Sequence, residues 1–102
     1  MKGEKINWII TINNSEADEI ELIRCTGTMS AVRKYLWKRI KNERSTIETE
    51  SNKEILWEDG TESAKDIAVQ EGNVLYALAL YSGFMGIDYV ATPENNIDQI
   101  AL

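Results

Sequence analysis

The stretch "IAVQEGNVLYALALYSGFMGIDYVAT", residues 67–92, decides the fold because it predicts three short strands joined by tight turns. Its first two apolar runs, residues 67–70 and 74–82, flank "EGN", whose glycine and asparagine both tolerate the positive φ of a hairpin turn. "GFMG" then separates the second strand from a third at residues 87–92. The middle strand is apolar on both faces, which is typical of a central strand covered on one side by a helix. We therefore expect an antiparallel three-stranded meander.

A second pair of strands is predicted near the start of the chain, where apolar and polar residues alternate. "KINWIITI" (5–12) alternates with a period of two, and "EIELIRCT" (19–26) does so again after a polar turn. We expect a β-hairpin in which Ile20 and Leu22 face inward and the two glutamates of the second strand face outward. Cys25 falls on the face opposite Leu22, where we expect a buried or half-buried and unreactive thiol.

From Met29 onward the apolar residues repeat with the period of an amphipathic helix. The stripe that faces the core consists of Met29, Val32, Leu36 and Ile40. Thr28 or Ser30 is a suitable N-cap, and we expect the helix to end at about residues 42–44. The secondary structure of residues 45–60 is the hardest to predict, since "EILWEDG" is compatible with a short strand or with one helical turn.

The predicted order of elements is ββα, an acidic link, then βββ. This order makes the chain an α+β fold: an antiparallel sheet of about five strands with one amphipathic helix packed on one face. Residues 1–102 form a single domain, since no linker or repeat interrupts them. The other face of the sheet is then solvated, covered by the tail after Pro93, or used for self-association, so a homodimer is one of the expectations.

The composition excludes several kinds of chemistry. The chain has no histidine and a single cysteine, which removes the usual general base, Cys/His zinc sites and Cys–His nucleophile pairs from one chain. An enzyme that relies on carboxylates alone stays open, but no pattern supports one. We expect no catalytic residues, no bound metal and no cofactor.

No segment predicts secretion or membrane insertion. The first residues lack the features of a signal peptide, and the longest apolar run, "VLYALALY" at 74–81, is far shorter than a membrane span. A single cysteine fits a reducing compartment. These features predict a cytoplasmic protein with no membrane partner.

Charge is divided unevenly along the chain. Residues 1–44 carry nine Lys/Arg and six Asp/Glu, and residues 45–102 carry two and eleven, so the balances of +3 and −9 give the net charge of −6. If the acids of residues 48–66 lie across the lysines of the helix, the two signs pair internally. If they occupy separate surfaces, a charged partner is the better explanation.

Basic residues of the helix and two apolar residues in a turn are candidates for binding. The helical candidates are Arg33, Lys34, Trp37, Lys38 and Lys41. They fit the solvated face of a core helix, a surface that docks a protein, or contact with a nucleic-acid backbone, although the acidity of the whole chain argues against the last. Phe84 and Met85 lie between glycines and would be exposed unless they fold back or meet a partner.

An acidic surface is the opposite candidate. Its proposed members are Glu54, Glu58, Asp59 and Glu62. One hypothesis is a surface that mimics phosphates and occupies the basic channel of a nucleic-acid enzyme. The alternative is a solubilising loop whose carboxylates pair internally with the helix.

Four segments, "GTMSAVRKYLWKRI", "WEDGTES", "LYALALYS" and "IDYVATP", have an order and spacing that resemble a group of small proteins of gut Firmicutes and their phages and mobile elements. The resemblance covers about residues 26–93. It implies a shared fold but no assigned activity, so it brings no functional residues. The context that it implies is one in which small phage-borne proteins act by binding, including as inhibitors of host nucleases.

The function that we expect is that of a small acidic, non-enzymatic protein-binding module of phage or mobile-element origin. Its partner is expected to be a protein, with inhibition of a host nucleic-acid enzyme as one form of the hypothesis. The alternative is a nucleic-acid-binding accessory protein that uses the basic helix at residues 31–44.

Overall fold

The computed structural model describes residues 3–15, 17–52, 54–81 and 85–102. Within them the elements in chain order are β1 (Ile6–Asn14), β2 (Glu19–Gly27), α1 (Met29–Ser51), β3 (Ala68–Gln70), β4 (Val74–Tyr81) and β5 (Met85–Pro93). All neighbouring strands are antiparallel, and their order across the sheet is β2-β1-β5-β4-β3. The chain therefore has the α+β fold that the sequence predicts, with one helix between the second and third strands.

The two groups of strands join through β1 and β5, so that β5 is the central strand of the sheet. Ile10 and Ile12 of β1 lie opposite Ala91 and Tyr89 of β5, and all four side chains are buried. Directly opposed residues of an antiparallel pair share a face, so both strands present apolar side chains to α1. β4 lies between β5 and β3, as the predicted meander requires.

The turn between β3 and β4 has the conformation that its sequence predicts. Gly72 and Asn73 have φ angles of 76° and 60°, which are both in the left-handed region. The side-chain amide of Asn96 donates a hydrogen bond of 2.6 Å to the Gly72 carbonyl. The positive φ favours glycine at position 72, and a Cβ there would come within 2.8 Å of that amide nitrogen, so the Asn96 side chain would have to shift.

α1 begins where the sequence predicts and ends later than it predicts. The hydroxyl of Thr28 accepts a hydrogen bond of 3.1 Å from the Ala31 N–H, which caps the N-terminus. The expected end at residues 42–44 is wrong, because the helix continues to Ser51 and stops at Asn52, whose φ is 53°. A left-handed residue after the last turn is a common helix stop.

Ile47 explains the additional two turns. It follows Ile40 by seven residues, which returns it to the same side of the helix, and it packs half-buried against the core. Residues 45–51 also contain no Gly or Pro that would end a helix. Although this segment is rich in polar and β-branched residues, tertiary contact through one isoleucine decides its conformation.

The prediction for the two faces of β2 is wrong. The register sets Leu22 opposite Thr11 and Ile20 opposite Asn13, on the face of the sheet away from α1, and their exposed fractions are 71% and 70%. Glu21 lies opposite the buried Ile12 and thus shares the helix side. The other helix-side residues of β2 include Ile23 and Cys25. β2 is apolar on both faces, so its alternation does not determine which face is buried.

The face of the sheet away from α1, called the open face below, has no second layer over it in the described ranges. The shortest dimension of the molecule is 20 Å, which accommodates one sheet and one helix. In the tail, a single 3₁₀ turn at Glu94–Asn96 is followed by Ile97, Ile100 and Leu102, which are all exposed. The described residues include no helix that is long and apolar enough to cross a membrane.

Candidate functional site

Arginines of α1 form the ion pairs that hold the helix to its surroundings. The guanidinium of Arg39 donates to both carboxylate oxygens of Glu21, at 3.2 and 2.7 Å, and lies 3.6 Å from Glu43 one helical turn on. This hydrogen bonding holds the pKa of Glu21 below its ordinary value and raises the pKa of Arg39. Arg39 thereby neutralises the acid that β2 turns toward the helix.

Arg44 forms the most buried ion pair of the described residues. Its partner is Asp59, at 2.7 Å, and the exposed fractions of the two side chains are 16% and 1%. Arg44 also donates to the Thr61 carbonyl at 2.8 Å, while Asp59 accepts the backbone N–H groups of Thr61 and Leu80, each at 2.9 Å. The prediction that Asp59 belongs to an acidic surface is therefore wrong, because its carboxylate is enclosed and fully bonded.

Two tryptophans enclose the same guanidinium. The Arg44 group lies 5.6 Å from the ring centre of Trp37 and 5.1 Å from that of Trp57, within the range of cation–π contact. The Trp57 ring meets Tyr81 edge-on at 5.1 Å, and its indole N–H donates to Glu48 at 3.3 Å. These contacts fix residues 54–61, which have no regular secondary structure, against both α1 and β4.

A groove of about 1010 Å³ lies between the C-terminal half of α1, the turn after β1 and residues 54–58. Its acidic lining residues are Glu19, Glu43, Glu50, Glu54 and Glu58. Its apolar lining residues are Ile47, Ile55, Leu56 and Tyr81, with Ala17 beside them. None of the described residues that line this acidic groove is Lys or Arg, so the lining combines negative charge with apolar surface and favours a cationic group that also has an apolar part.

The acidic groove contains only part of the predicted acidic surface. Glu54 and Glu58 line it, whereas Glu62 is exposed elsewhere, on the loop where its N–H donates to Asp66 at 2.8 Å. Sequence reasoning missed Glu19 and Glu43, whereas Glu50 belongs to the acidic stretch of residues 48–66 that it singled out. Glu19 comes from β2 and the other two from α1, and the longer helix brings Glu50 to the groove.

The predicted basic residues divide into two groups. Lys34, Lys38 and Lys41, called the lysine face below, are exposed and form no ion pair with any described residue. Arg33 and Trp37 are half-buried instead of fully presented to solvent. Among the described residues, the internal pairing between residues 48–66 and the helix is therefore made by Arg44 with Asp59 and not by the lysine face.

The remaining candidates add little to a binding or catalytic site. Phe84 lies outside the described residues, and Met85 is the first residue of β5, so their contact with a partner stays a prediction. Among the described residues, no group of three His, Cys, Asp or Glu side chains could hold a metal ion. Cys25 is half-buried, and burial raises the pKa of its thiol, as expected for an unreactive cysteine.

No protein-family model, curated protein or solved structure matches the chain. The resemblance to small proteins of gut Firmicutes and their phages therefore stays a prediction.

The ion pair of Glu21 predicts a specific dependence of stability on pH. Because the pKa of Glu21 in the folded chain is below its ordinary value of 4.5, the pair stabilises fully above that pH. The stabilisation is lost as the pH falls through the lowered value. Wild type should exceed Glu21→Gln in free energy of unfolding by about 0.5–1 kcal/mol at pH 7, a small amount because Glu21 is half-exposed.

Urea unfolding of both chains at a series of pH values measures this difference. Glu71→Gln removes an exposed carboxylate that makes no ion pair with described residues, and it serves as the control for loss of one charge. A difference between wild type and Glu21→Gln that stays constant from neutral pH to well below 4.5 would contradict the prediction.

Proposed function

We propose that the chain is a small non-enzymatic protein-binding module and that its acidic groove receives a cationic segment of the partner. The observation that carries the proposal is the groove, whose lining combines five carboxylates with the apolar side chains of Ile47, Ile55 and Leu56. The ion pairs of Arg39 and Arg44 support it. The acids that these two arginines bind are Glu21, Glu43 and Asp59, and of these three only Glu43 lines the groove. The net charge of −6 adds a field that attracts cations.

A basic amphipathic helix is the kind of segment that fits this groove best. Its apolar side would cover Ile47 and Ile55, and its lysines or arginines would reach the glutamates at the rim. Leu56, which is 82% exposed beside the same groove, provides further apolar surface for such a contact.

A partner with this chemistry is a protein whose basic surface binds nucleic acid. Carboxylates can occupy the positions at which such a surface would hold phosphates, and complementary charge speeds the encounter of the two proteins. An inhibitor of a host nucleic-acid enzyme, carried by a phage or mobile element, is therefore the form of binding module that we propose.

The proposal predicts that a synthetic peptide of leucine and lysine, about 14 residues or four helical turns long, binds the wild-type chain. The double variant Glu50→Lys/Glu54→Lys should bind it at least about tenfold more weakly. Each reversal removes an attraction of roughly 0.5–1 kcal/mol at an exposed site, and about 1.4 kcal/mol corresponds to tenfold. Isothermal titration calorimetry at about 50 mM salt measures both Kd values, since screening is weak there.

The matched control is Glu62→Lys/Glu71→Lys, which changes the net charge equally at two exposed sites outside the groove. We expect its Kd to change by less than about threefold, because charges beyond a Debye length contribute little. Equal weakening by both double variants would show that only net charge acts. That outcome, or no binding to wild type, would refute the proposed groove.

A second candidate function is contact with a nucleic-acid backbone through the lysine face. The observation that favours it is that Lys34, Lys38 and Lys41 are exposed and have no ion-pair partner among the described residues. Titration with duplex DNA at about 50 mM salt, where phosphate contacts are strongest, tests it. Binding that Lys34→Gln/Lys38→Gln/Lys41→Gln abolishes would support this function, and no binding by wild type would eliminate it.

A further inference from the structure

The open face is unlike the rest of the surface because it carries almost no net charge. One row of residues crosses all five strands: Leu22, Thr11, Val90, Tyr76 and Ala68 are successive cross-strand neighbours. None of these five residues is charged. Other large apolar residues share the face, namely Ile9, Ile20, Leu78 and Leu80. In a chain with 27% charged residues, this face stands out as low in charge, since Arg24 and Asp88 are the charged residues that the described strands place on it, beside polar residues such as Thr11 and Thr92.

Charged residues on the strands of the open face already have partners within the chain. Arg24 lies 3.5 Å from Glu94, and Asp88 accepts a hydrogen bond of 3.3 Å from the Tyr76 hydroxyl. Near the edge of the same face, the Thr26 hydroxyl donates to the Asn7 side chain at 2.6 Å. Arg24 and Asp88 would therefore enter an interface with partners already in place, which lowers the cost of their desolvation.

The size of the open face matches what a stable dimer needs. Five strands at about 4.8 Å spacing and central strands of about 28 Å give roughly 600–700 Å² of projected area. The accessible area of the protruding side chains is larger than this projection. A typical specific interface covers about 800 Å² on each partner.

We propose that the open face is the interface between two copies of this chain. A face whose net charge is close to zero can meet itself across a twofold axis with little repulsion between like charges. Two sheets packed about 10 Å apart then form a four-layer dimer with each α1 on the outside. The acidic groove lies on the helix side of the sheet, so this inference does not depend on the proposed function.

Sedimentation velocity and light scattering of the full chain test the interface. We expect the weight-average mass to rise from 11.6 kDa toward twice that value between about 1 and 100 µM protein. Leu22→Lys, at a position 71% exposed in one chain, should raise the dimer Kd at least about tenfold, because it buries an unpaired charge. Ile20→Lys is a second variant should the first fail to fold, which circular dichroism reports.

The matched control is Val69→Lys, because Val69 is exposed on a strand but lies opposite Leu75, on the helix side of the sheet. It should change the dimer Kd by less than about twofold. Raising the salt from about 0.1 to 0.5 M should strengthen the dimer, since it screens repulsion between two chains of net charge −6. Salt should weaken peptide binding in the groove, so the opposite responses to salt distinguish failure of one proposal from failure of the other.

Two results would overturn the inference. One is a monomer at every concentration up to about 500 µM. The other is equal weakening by Leu22→Lys and Val69→Lys, which would place the interface elsewhere. A wild-type monomer that dimerises only after removal of residues 97–102 would show instead that the tail occupies the face.

Discussion

The buried ion pair between Arg44 and Asp59 is the interaction on which the arrangement of this molecule depends. Residues 54–61 form no helix or strand, so their position depends on side chains and on one backbone hydrogen bond of 2.7 Å from the Glu58 N–H to the Leu80 carbonyl. Asp59 accepts the backbone N–H of Leu80 in β4, while Arg44 holds the same carboxylate from α1. With the two tryptophans around the guanidinium, this pair joins helix, segment and sheet. It therefore fixes the wall of the acidic groove that residues 54–58 provide.

The basic side chains follow the different physical properties of arginine and lysine. The planar guanidinium is weakly hydrated and presents several donors in one plane, which suits buried and half-buried pairs. Arg39 binds both carboxylate oxygens of Glu21 through two nitrogens, and Arg44 binds Asp59 and the Thr61 carbonyl through one. The ammonium group is strongly hydrated, and the lysine face accordingly stays in solvent. Part of the opposite charge along the sequence is thus neutralised internally. The lysines of the lysine face make no ion pair with a described residue.

Sequence patterns predict the order of elements, because each signal is local: a period of two for the strands, a cap at Thr28, and two residues that tolerate positive φ in a turn. They do not predict the end of α1, which a tertiary contact of Ile47 decides. Nor do they predict which side of β2 is buried, because both sides are apolar and the register to β1 makes the choice. Local sequence patterns do not predict the acidic groove, for a similar reason. Glu19, Glu43 and Glu50 come together only in the folded chain. Asp59, one of the predicted acids, is buried in an ion pair with Arg44 and does not line the groove.

The most direct test of this account is the substitution Asp59→Asn, which keeps the shape of the side chain and removes the charge that Arg44 needs. Leaving one member of a buried pair alone should lower the free energy of unfolding by about 3 kcal/mol or more. Hydrogen exchange should also quicken at the Leu80 amide, which donates to Asp59, more than at other amides of β4. Glu62→Gln, at an exposed acid of the same loop, should change stability by less than about 0.5 kcal/mol. If Asp59→Asn is as mild as Glu62→Gln and the Leu80 amide stays protected, the ion pair does not hold this segment in place and the account is wrong.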